Sequence, residues 1–274
     1  MGSQSLHWRH YFIEAWGLGT FMIVAGTAAV LLVRAPEPLR GAMAAHPILG
    51  RLAFGSIMGL TVIAITYSRW GARSGAHLNP ALTLAFAALG KIAPRDAFFY
   101  ALAQFAGGAL GFAAIAALLG RALVAPPVNG IVTRPGAQGP LVAFAAESAI
   151  AFILMIVVLT FSNAPPPISG FTGVAAGICV VAFIAFETPL SGMSLNPART
   201  TASAFVVHDW TSVWVYFTAP IVGTLVAAAL YVSLRGRGAV RCARLNHTGP
   251  FRCIFRCGYA FPTVPMPPSQ RTAL

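Results

Sequence analysis

Charged residues are scarce in this chain of 274 residues. Only 9% of the residues are charged and six of them are acidic, whereas soluble globular proteins carry about 25% charged residues. The mean hydropathy is +0.76 and 57% of the residues are hydrophobic. An ordinary soluble domain is therefore excluded, and the composition predicts an integral membrane protein with a single membrane domain.

Cysteine is also rare, and the four cysteines form no familiar pattern. Cys179 lies in an apolar run, whereas Cys242, Cys253 and Cys257 lie near the C-terminus. Their spacing fits neither a zinc pattern nor a secreted disulfide framework. Unmodified thiols are the simpler interpretation, and palmitoylation is the alternative. Since no Ser/His/Asp or metal-ligand set stands out either, we expect no enzyme activity, no cofactor and no bound metal.

The net charge of +12 raises the question of nucleic-acid binding, but the basic residues are concentrated at one end. Seven of the 18 lysine and arginine residues lie in the last 40 positions, and these are Arg235, Arg237, Arg241, Arg244, Arg252, Arg256 and Arg271. Such clustering favours a solvated, cytoplasmic tail over a nucleic-acid-binding face. We expect residues 235–274 to form a basic, disordered tail that binds no nucleic acid.

The most informative feature of the sequence is an internal repeat. Residues 74–83 (SGAHLNPALT) recur as residues 191–200 (SGMSLNPART), with seven of ten positions identical and the two asparagines, Asn79 and Asn196, 117 residues apart. Asparagine is a favoured N-cap and proline suits the first helical position, so each copy predicts the start of a helix. The apolar runs that follow have about ten residues, which span only half of a hydrocarbon core of about 30 Å. The sequence therefore predicts two half-helices.

Six further runs are long and apolar enough to cross a membrane. They cover residues 11–33, 50–68, 96–120, 141–161, 168–187 and 210–234. Each half of the chain then has two spans, a half-helix and a third span. Because three spans are an odd number, the second half enters the bilayer from the opposite side, and the half-helices converge near its midplane. We expect a short N-terminal segment, residues 1–10, before a membrane domain over residues 11–234, with repeats at 11–120 and 141–234.

The distribution of lysine and arginine indicates the orientation. With the N-terminus inside, twelve basic residues are cytoplasmic and five are outside, with Arg199 set aside. Without the tail the count is five against five, so the preference depends on the tail. We expect both termini to be cytoplasmic.

These features together closely resemble the aquaporin, or major intrinsic protein, family. The resemblance rests on the two Asn-Pro-Ala boxes (Asn79, Pro80, Ala81 and Asn196, Pro197, Ala198), on Arg199 directly after the second box, and on Glu14 and Glu147 in the first and fourth spans. It implies an all-α membrane fold with six transmembrane helices and two re-entrant half-helices in inverted repeats. It also implies a homotetramer with one pore per subunit, located in the plasma membrane.

The resemblance assigns roles to several residues. Asn79 and Asn196 would cap their half-helices and offer amide N–H groups to a permeating molecule. Arg199 would belong to the outer constriction, although an ion pair with Glu187 is the alternative. Glu14 and Glu147 would accept hydrogen bonds from the loops below the half-helices, with a proton relay as the alternative. His77 would bond within its loop or act as a pH gate.

By the same resemblance, the remaining constriction positions fall on Met58, Ile184 and Met193. Typical water channels of the family carry an aromatic residue and a histidine among these positions. This constriction would therefore be apolar apart from Arg199, which predicts slow water passage or passage of less polar solutes. No aspartate follows Arg199, which favours the water branch over the glycerol branch. The alternatives to a water channel are a facilitator of glycerol or other small neutral solutes, an ion-coupled transporter, and a scaffolding protein.

Overall fold

The computed structural model describes residues 6–247, 251 and 253–259 of the chain. Five of the described helices begin on proline, which lacks the N–H group that the first helical position leaves unpaired. The α-helices, in chain order, are α1 (Trp8–Val33), α2 (Glu37–Ala45), α3 (Pro47–Tyr67), α4 (Gly71–Ser74), α5 (Pro80–Ala88), α6 (Pro94–Leu119), α7 (Arg121–Val124), α8 (Pro140–Ser162), α9 (Thr172–Phe186), α10 (Thr188–Ser191), α11 (Pro197–Val207) and α12 (Val213–Arg235).

Six of these segments are long and apolar enough to cross a membrane: α1, α3, α6, α8, α12, and α9 together with the 3₁₀ turn that precedes it (Ile168–Phe171). The prediction of six spans and two half-helices is confirmed, and the spans begin and end within three residues of the predicted positions. With six spans, the first residues of α1 and the last residues of α12 lie on the same side of the membrane, which we call the terminal side.

The helix α2 lies between the first two predicted spans, in a segment for which the sequence predicts no helix. It begins at Glu37, between Pro36 and Pro38, and continues to Ala45. Proline is tolerated in the first turn of a helix, where its missing N–H has no intrahelical acceptor. None of the residues of α2 is buried, so this helix lies on the outside of the bundle.

The two halves pack in the same way, because small residues allow corresponding helices to approach closely. In the first half α1 packs against α6, and in the second half α8 packs against α12. A Cβ atom on Gly107 would lie 2.0 Å from the carbonyl oxygen of Ala15, and one on Gly223 would lie 2.2 Å from that of Ser148. These two glycines therefore set the distance between the helices of each pair.

The described part of the C-terminal tail packs against the bundle, although disorder was expected from residue 235 onwards. Ala243 and Leu245 are buried there, and Phe255 is 6% exposed. The Tyr259 hydroxyl donates a hydrogen bond to the carbonyl oxygen of Ser162. The tail residues 248–250, 252 and 260–274 lie outside the described residues.

We predict that Gly107→Ala destabilises the protein, because the added methyl group meets the backbone of α1, which no side-chain rotation can move. The cost should be about 1–3 kcal/mol, as for other overpacked cores. Gly170→Ala is the matched control, since nothing lies within 4 Å of its added Cβ atom. Thermal unfolding in detergent, followed by size-exclusion chromatography, measures both variants. Equal melting temperatures would contradict the packing argument.

Candidate functional site

The two repeated boxes fold into two half-helices, each capped by its own asparagine. The Oδ1 atom of Asn79 accepts a hydrogen bond from the backbone N–H of Ala81 at 2.9 Å. The Oδ1 atom of Asn196 accepts from the N–H of Ala198 at 3.0 Å and from that of Arg199 at 3.3 Å. Each proline follows its asparagine directly, at the first helical position. The local sequence therefore accounts for where each half-helix begins.

The loops before the half-helices have matching and unusual backbones. Gly75 and Gly192 have positive φ angles of 104° and 82°, as do Leu78 and Leu195 at 52° and 61°. A non-glycine residue in this region costs about 1–3 kcal/mol and persists only where the surrounding structure compensates. The repeat in the sequence is therefore also a repeat in backbone conformation.

Two buried carboxylates provide this compensation. Glu14 on α1 accepts hydrogen bonds from the Ser74 hydroxyl at 2.7 Å and from the backbone N–H groups of His77 and Leu78 at 3.2 and 2.7 Å. Gln104 on α6 donates to the same carboxylate at 2.8 Å. This is the geometry that a loop-supporting carboxylate requires, because non-helical backbone at membrane depth needs acceptors for its N–H groups.

Glu147 on α8 supports the second loop in the same manner. It accepts from the Ser191 hydroxyl at 2.7 Å and from the N–H groups of Ser194 and Leu195 at 2.6 and 2.7 Å. The hydroxyl of Tyr216 donates to the carbonyl oxygen of Ser191 at 2.6 Å. Tyr100 makes the equivalent bond in the first half, to the carbonyl oxygen of Ser74 at 2.6 Å.

The two asparagines join the halves of the chain to each other. The Nδ2 atom of Asn79 donates to the carbonyl oxygen of Leu195 at 2.8 Å, and that of Asn196 donates to the carbonyl oxygen of Leu78 at 2.7 Å. Each bond crosses from one loop to the other. The N-terminal ends of α5 and α11 therefore meet tip to tip. Each Nδ2 atom carries two hydrogens, so one remains after the crossing bond is made.

A cavity of about 370 Å³ passes these two asparagines. It is lined by residues near the start of α3, such as Arg51, and also by Leu245 of the tail. All four predicted constriction residues line it as well, and they are Met58, Ile184, Met193 and Arg199. Each of them is at most 8% exposed, and the three apolar side chains belong to one hydrophobic cluster. The structure thus brings the two asparagines and the four predicted constriction residues together around one space, whereas the prolines and alanines of the two boxes do not line it.

Arg199 does not form the ion pair with Glu187 that was considered from the sequence. Salt bridges in the described residues join His7 to Asp96, Arg40 to Glu37 and Arg134 to Asp209. The Nη1 atom of Arg199 is buried and has no hydrogen-bond partner within the described part of the chain. An unpaired donor that borders a cavity has unused capacity for a polar molecule there.

Sequence reasoning did not find the partners of His77. Its Nε2 atom lies 2.8 Å from the carbonyl oxygen of Ala243 in the tail, and its Nδ1 atom lies 3.1 Å from the Thr83 hydroxyl. Gln104 was also missed. It lies four positions after Tyr100 in a span whose charged residues, Arg95 and Asp96, are confined to the first turn, so its polar side chain was a usable signal. The contact with Ala243 had no such signal, because nothing in the sequence places the tail beside this loop.

We predict that Glu147→Gln lowers both the thermal stability of the protein and the swelling rate of proteoliposomes that contain it. Since an amide nitrogen cannot accept hydrogen bonds, at least one of the three loop donors loses its acceptor, at a cost of about 1–3 kcal/mol. Glu37→Gln, on the exposed helix α2, should change stability by less than about 0.5 kcal/mol. Melting temperature in detergent and swelling of proteoliposomes test this; a Glu147→Gln variant as stable as Glu37→Gln would contradict it.

Comparisons with known proteins identify the family. The family model described as "Major intrinsic protein" matches residues 2–231. Aquaporin NIP1-3 of Oryza sativa subsp. japonica is 37% identical over 222 residues, which cover 80% of this chain and 71% of that protein. Aquaporin NIP6-1 of Arabidopsis thaliana is 33% identical over 219 residues, 80% of this chain and 67% of that protein.

A solved structure supports the same fold. The X-ray structure of the aquaglyceroporin from Plasmodium falciparum superposes with a TM-score of 0.67 at 19% identity, covering 82% of this chain and 96% of that one. At this identity the likeness concerns the fold alone. The family model and the relatives, together with the six spans, show that this multi-pass membrane protein belongs to the major intrinsic protein family, whose members are channels and not enzymes.

Proposed function

We propose that this chain is a passive channel that conducts water and excludes ions and protons. The observation that carries the proposal is a single cavity bordered at once by Asn79, Asn196 and Arg199. In that cavity the remaining amide hydrogen of each asparagine can donate to the oxygen of a passing molecule. These donors are needed because water gives up hydrogen bonds when it leaves the bulk, and a wholly apolar pore would replace few of them.

The exclusion of cations follows from the same geometry. The N-terminal ends of α5 and α11 meet at the crossing bonds of Asn79 and Asn196. Each helix N-terminus carries a partial positive charge of up to about half an elementary charge. Two such ends, with Arg199 on the first turn of α11, oppose a cation and have little effect on a neutral molecule.

A facilitator of glycerol or another small neutral solute is the second candidate, and the constriction favours it. Met58, Ile184 and Met193 present apolar surface to the cavity, whereas Arg199 is charged. Such a passage replaces few of the hydrogen bonds of water, which favours slow water flux and admits solutes with an apolar side.

An ion-coupled transporter is disfavoured by the hydrogen bonds of the buried carboxylates. Glu14 and Glu147 are both fully buried, and each accepts hydrogen bonds from the backbone of its loop. Their oxygen atoms are therefore engaged in supporting the loops, and a coupling ion would have to displace those donors.

We further propose a homotetramer in the plasma membrane, with the terminal side in the cytoplasm.

Swelling of proteoliposomes tests the proposal directly. We expect the protein to raise osmotic water permeability with a low activation energy and to pass no ion current. Iso-osmotic gradients of glycerol or urea separate the second candidate from the first. Swelling no faster than that of empty vesicles, in water and in every solute, would exclude both. Accumulation of a solute against its gradient would instead indicate a coupled transporter.

The constriction can be tested by restoring the residue types of typical water channels. We predict that Met58→Phe combined with Ile184→His raises water permeability, because the imidazole adds a hydrogen-bonding group to the cavity that Arg199 also lines. Glycerol permeability should fall in the same variant, because the aromatic ring narrows the passage. Leu110→Phe on the exposed face of α6 is the control. Unchanged fluxes of both molecules would show that these positions do not limit passage.

A further inference from the structure

The C-terminal tail brings three thiols and one imidazole together. The Sγ atoms of Cys242 and Cys253 lie 3.5 Å apart. The ligand atoms of Cys242, His247 and Cys257 all lie within 4.8 Å of one another. In a tetrahedral zinc site with Zn–S bonds of about 2.3 Å, neighbouring ligand atoms are about 3.8 Å apart. The ligand atoms of Cys242, His247 and Cys257 are thus close to this spacing, and Cys253 adds a third sulfur through its contact with Cys242.

His247 is the member of this cluster with unused ligand capacity. Both ring nitrogens are buried, and neither has a hydrogen-bond partner among the residues that the structure describes. Buried polar atoms of native proteins nearly always have a partner. The ring itself packs against Tyr259, with 4.3 Å between the centroids, so the imidazole is positioned by an aromatic contact and its nitrogens are left for another ligand.

The backbone around the sulfur atoms suits bound thiolates. The N–H group of Arg244 donates to the Sγ atom of Cys242 at 3.5 Å. Donors of this kind stabilise negative charge on sulfur, and the thiolate is the form that binds metal.

A metal would also explain how this segment keeps its shape. The described residues after the short 3₁₀ turn Arg237–Ala239 contain no helix and no strand. Two arms, residues 241–247 and 253–259, run beside each other, and the N–H of Gly258 donates to the carbonyl oxygen of Arg241 at 2.7 Å. Small segments without regular secondary structure are commonly fixed by a disulfide or a structural metal.

We propose a structural Zn²⁺ site that joins the two arms of the tail, with Cys242, His247, Cys253 and Cys257 as its ligands. Each arm supplies two ligands, in the pattern Cys-x₄-His-x₅-Cys-x₃-Cys. Binding replaces the protons of three thiols with one metal ion and releases those protons to solvent. The cysteine spacing alone indicated no zinc pattern because the pattern includes the histidine.

The two arms of the tail lie against the terminal-side end of the cavity. Leu245 lines the cavity and is 4% exposed, and its N–H donates to the carbonyl oxygen of Gly75 at 3.2 Å. The Phe255 ring lies nearly parallel to that of His77, with 5.5 Å between centroids. Removing the metal should therefore loosen the segment and widen this end of the pore. That consequence rests on the proposed channel function, whereas zinc binding does not.

Metal content of the full-length protein tests the site. After loading with Zn²⁺ and gel filtration, we expect about one zinc per chain in the wild type. Cys242→Ser and His247→Gln should lose the metal, whereas the matched control Cys179→Ser, in α9, should retain it. Substitution with Co²⁺ should give the visible absorption of a tetrahedral thiolate complex. No zinc in the wild type, equal zinc in all variants, or a Cys242–Cys253 disulfide in its place would overturn the proposal.

Swelling rates test the consequence for the pore. A membrane-permeant zinc chelator should raise the swelling rate of wild-type proteoliposomes and leave that of Cys242→Ser, which is already metal-free, unchanged. Leu245→Ala should raise the rate with zinc still bound. If chelation removes the zinc without changing the rate, the tail does not restrict the pore. If no variant conducts any solute while zinc still binds as expected, the channel function fails and the metal site stands.

Discussion

Two loops without helical structure lie at membrane depth, and the bonds that hold them determine the rest of the molecule. Hydrocarbon offers no partner to a free backbone N–H group, so such a loop needs internal acceptors. Glu14 and Glu147 supply them from α1 and α8, and the amides of Asn79 and Asn196 join the loops to each other. Without these bonds neither half-helix would have a defined starting point at the centre of the bundle.

The cost of the arrangement explains why the repeat is so well preserved within the chain. Leu78 and Leu195 have left-handed backbones, which are unfavourable for branched apolar residues. That conformation turns the N–H of each leucine to a carboxylate, at 2.7 Å in both halves, and its carbonyl oxygen to the asparagine of the other half. Strain in the loop is thus offset by bonds that also build the pore.

The sequence was sufficient for the features that depend on local pattern. Long apolar runs and proline positions located the six spans, and the Asn-Pro pairs located the half-helices, because caps and hydrophobic length act over a few residues. Contacts between distant segments could not be predicted in this way. The support of Glu14 by Gln104, and the bond from His77 to Ala243, depend on which helix or tail segment lies alongside.

Differences between the two halves show where the symmetric pore becomes asymmetric. Position 77 is histidine in the first loop and position 194 is serine in the second; the Ser194 hydroxyl bonds to Thr200 at 2.6 Å, as His77 bonds to Thr83. The imidazole of His77 is larger, and its second nitrogen, Nε2, also contacts the carbonyl oxygen of Ala243 in the tail. A serine in its place would have no atom available for that contact. The histidine that departs from the repeat therefore lies at the end of the pore where the described tail residues are. Regulation by the tail would act at this end.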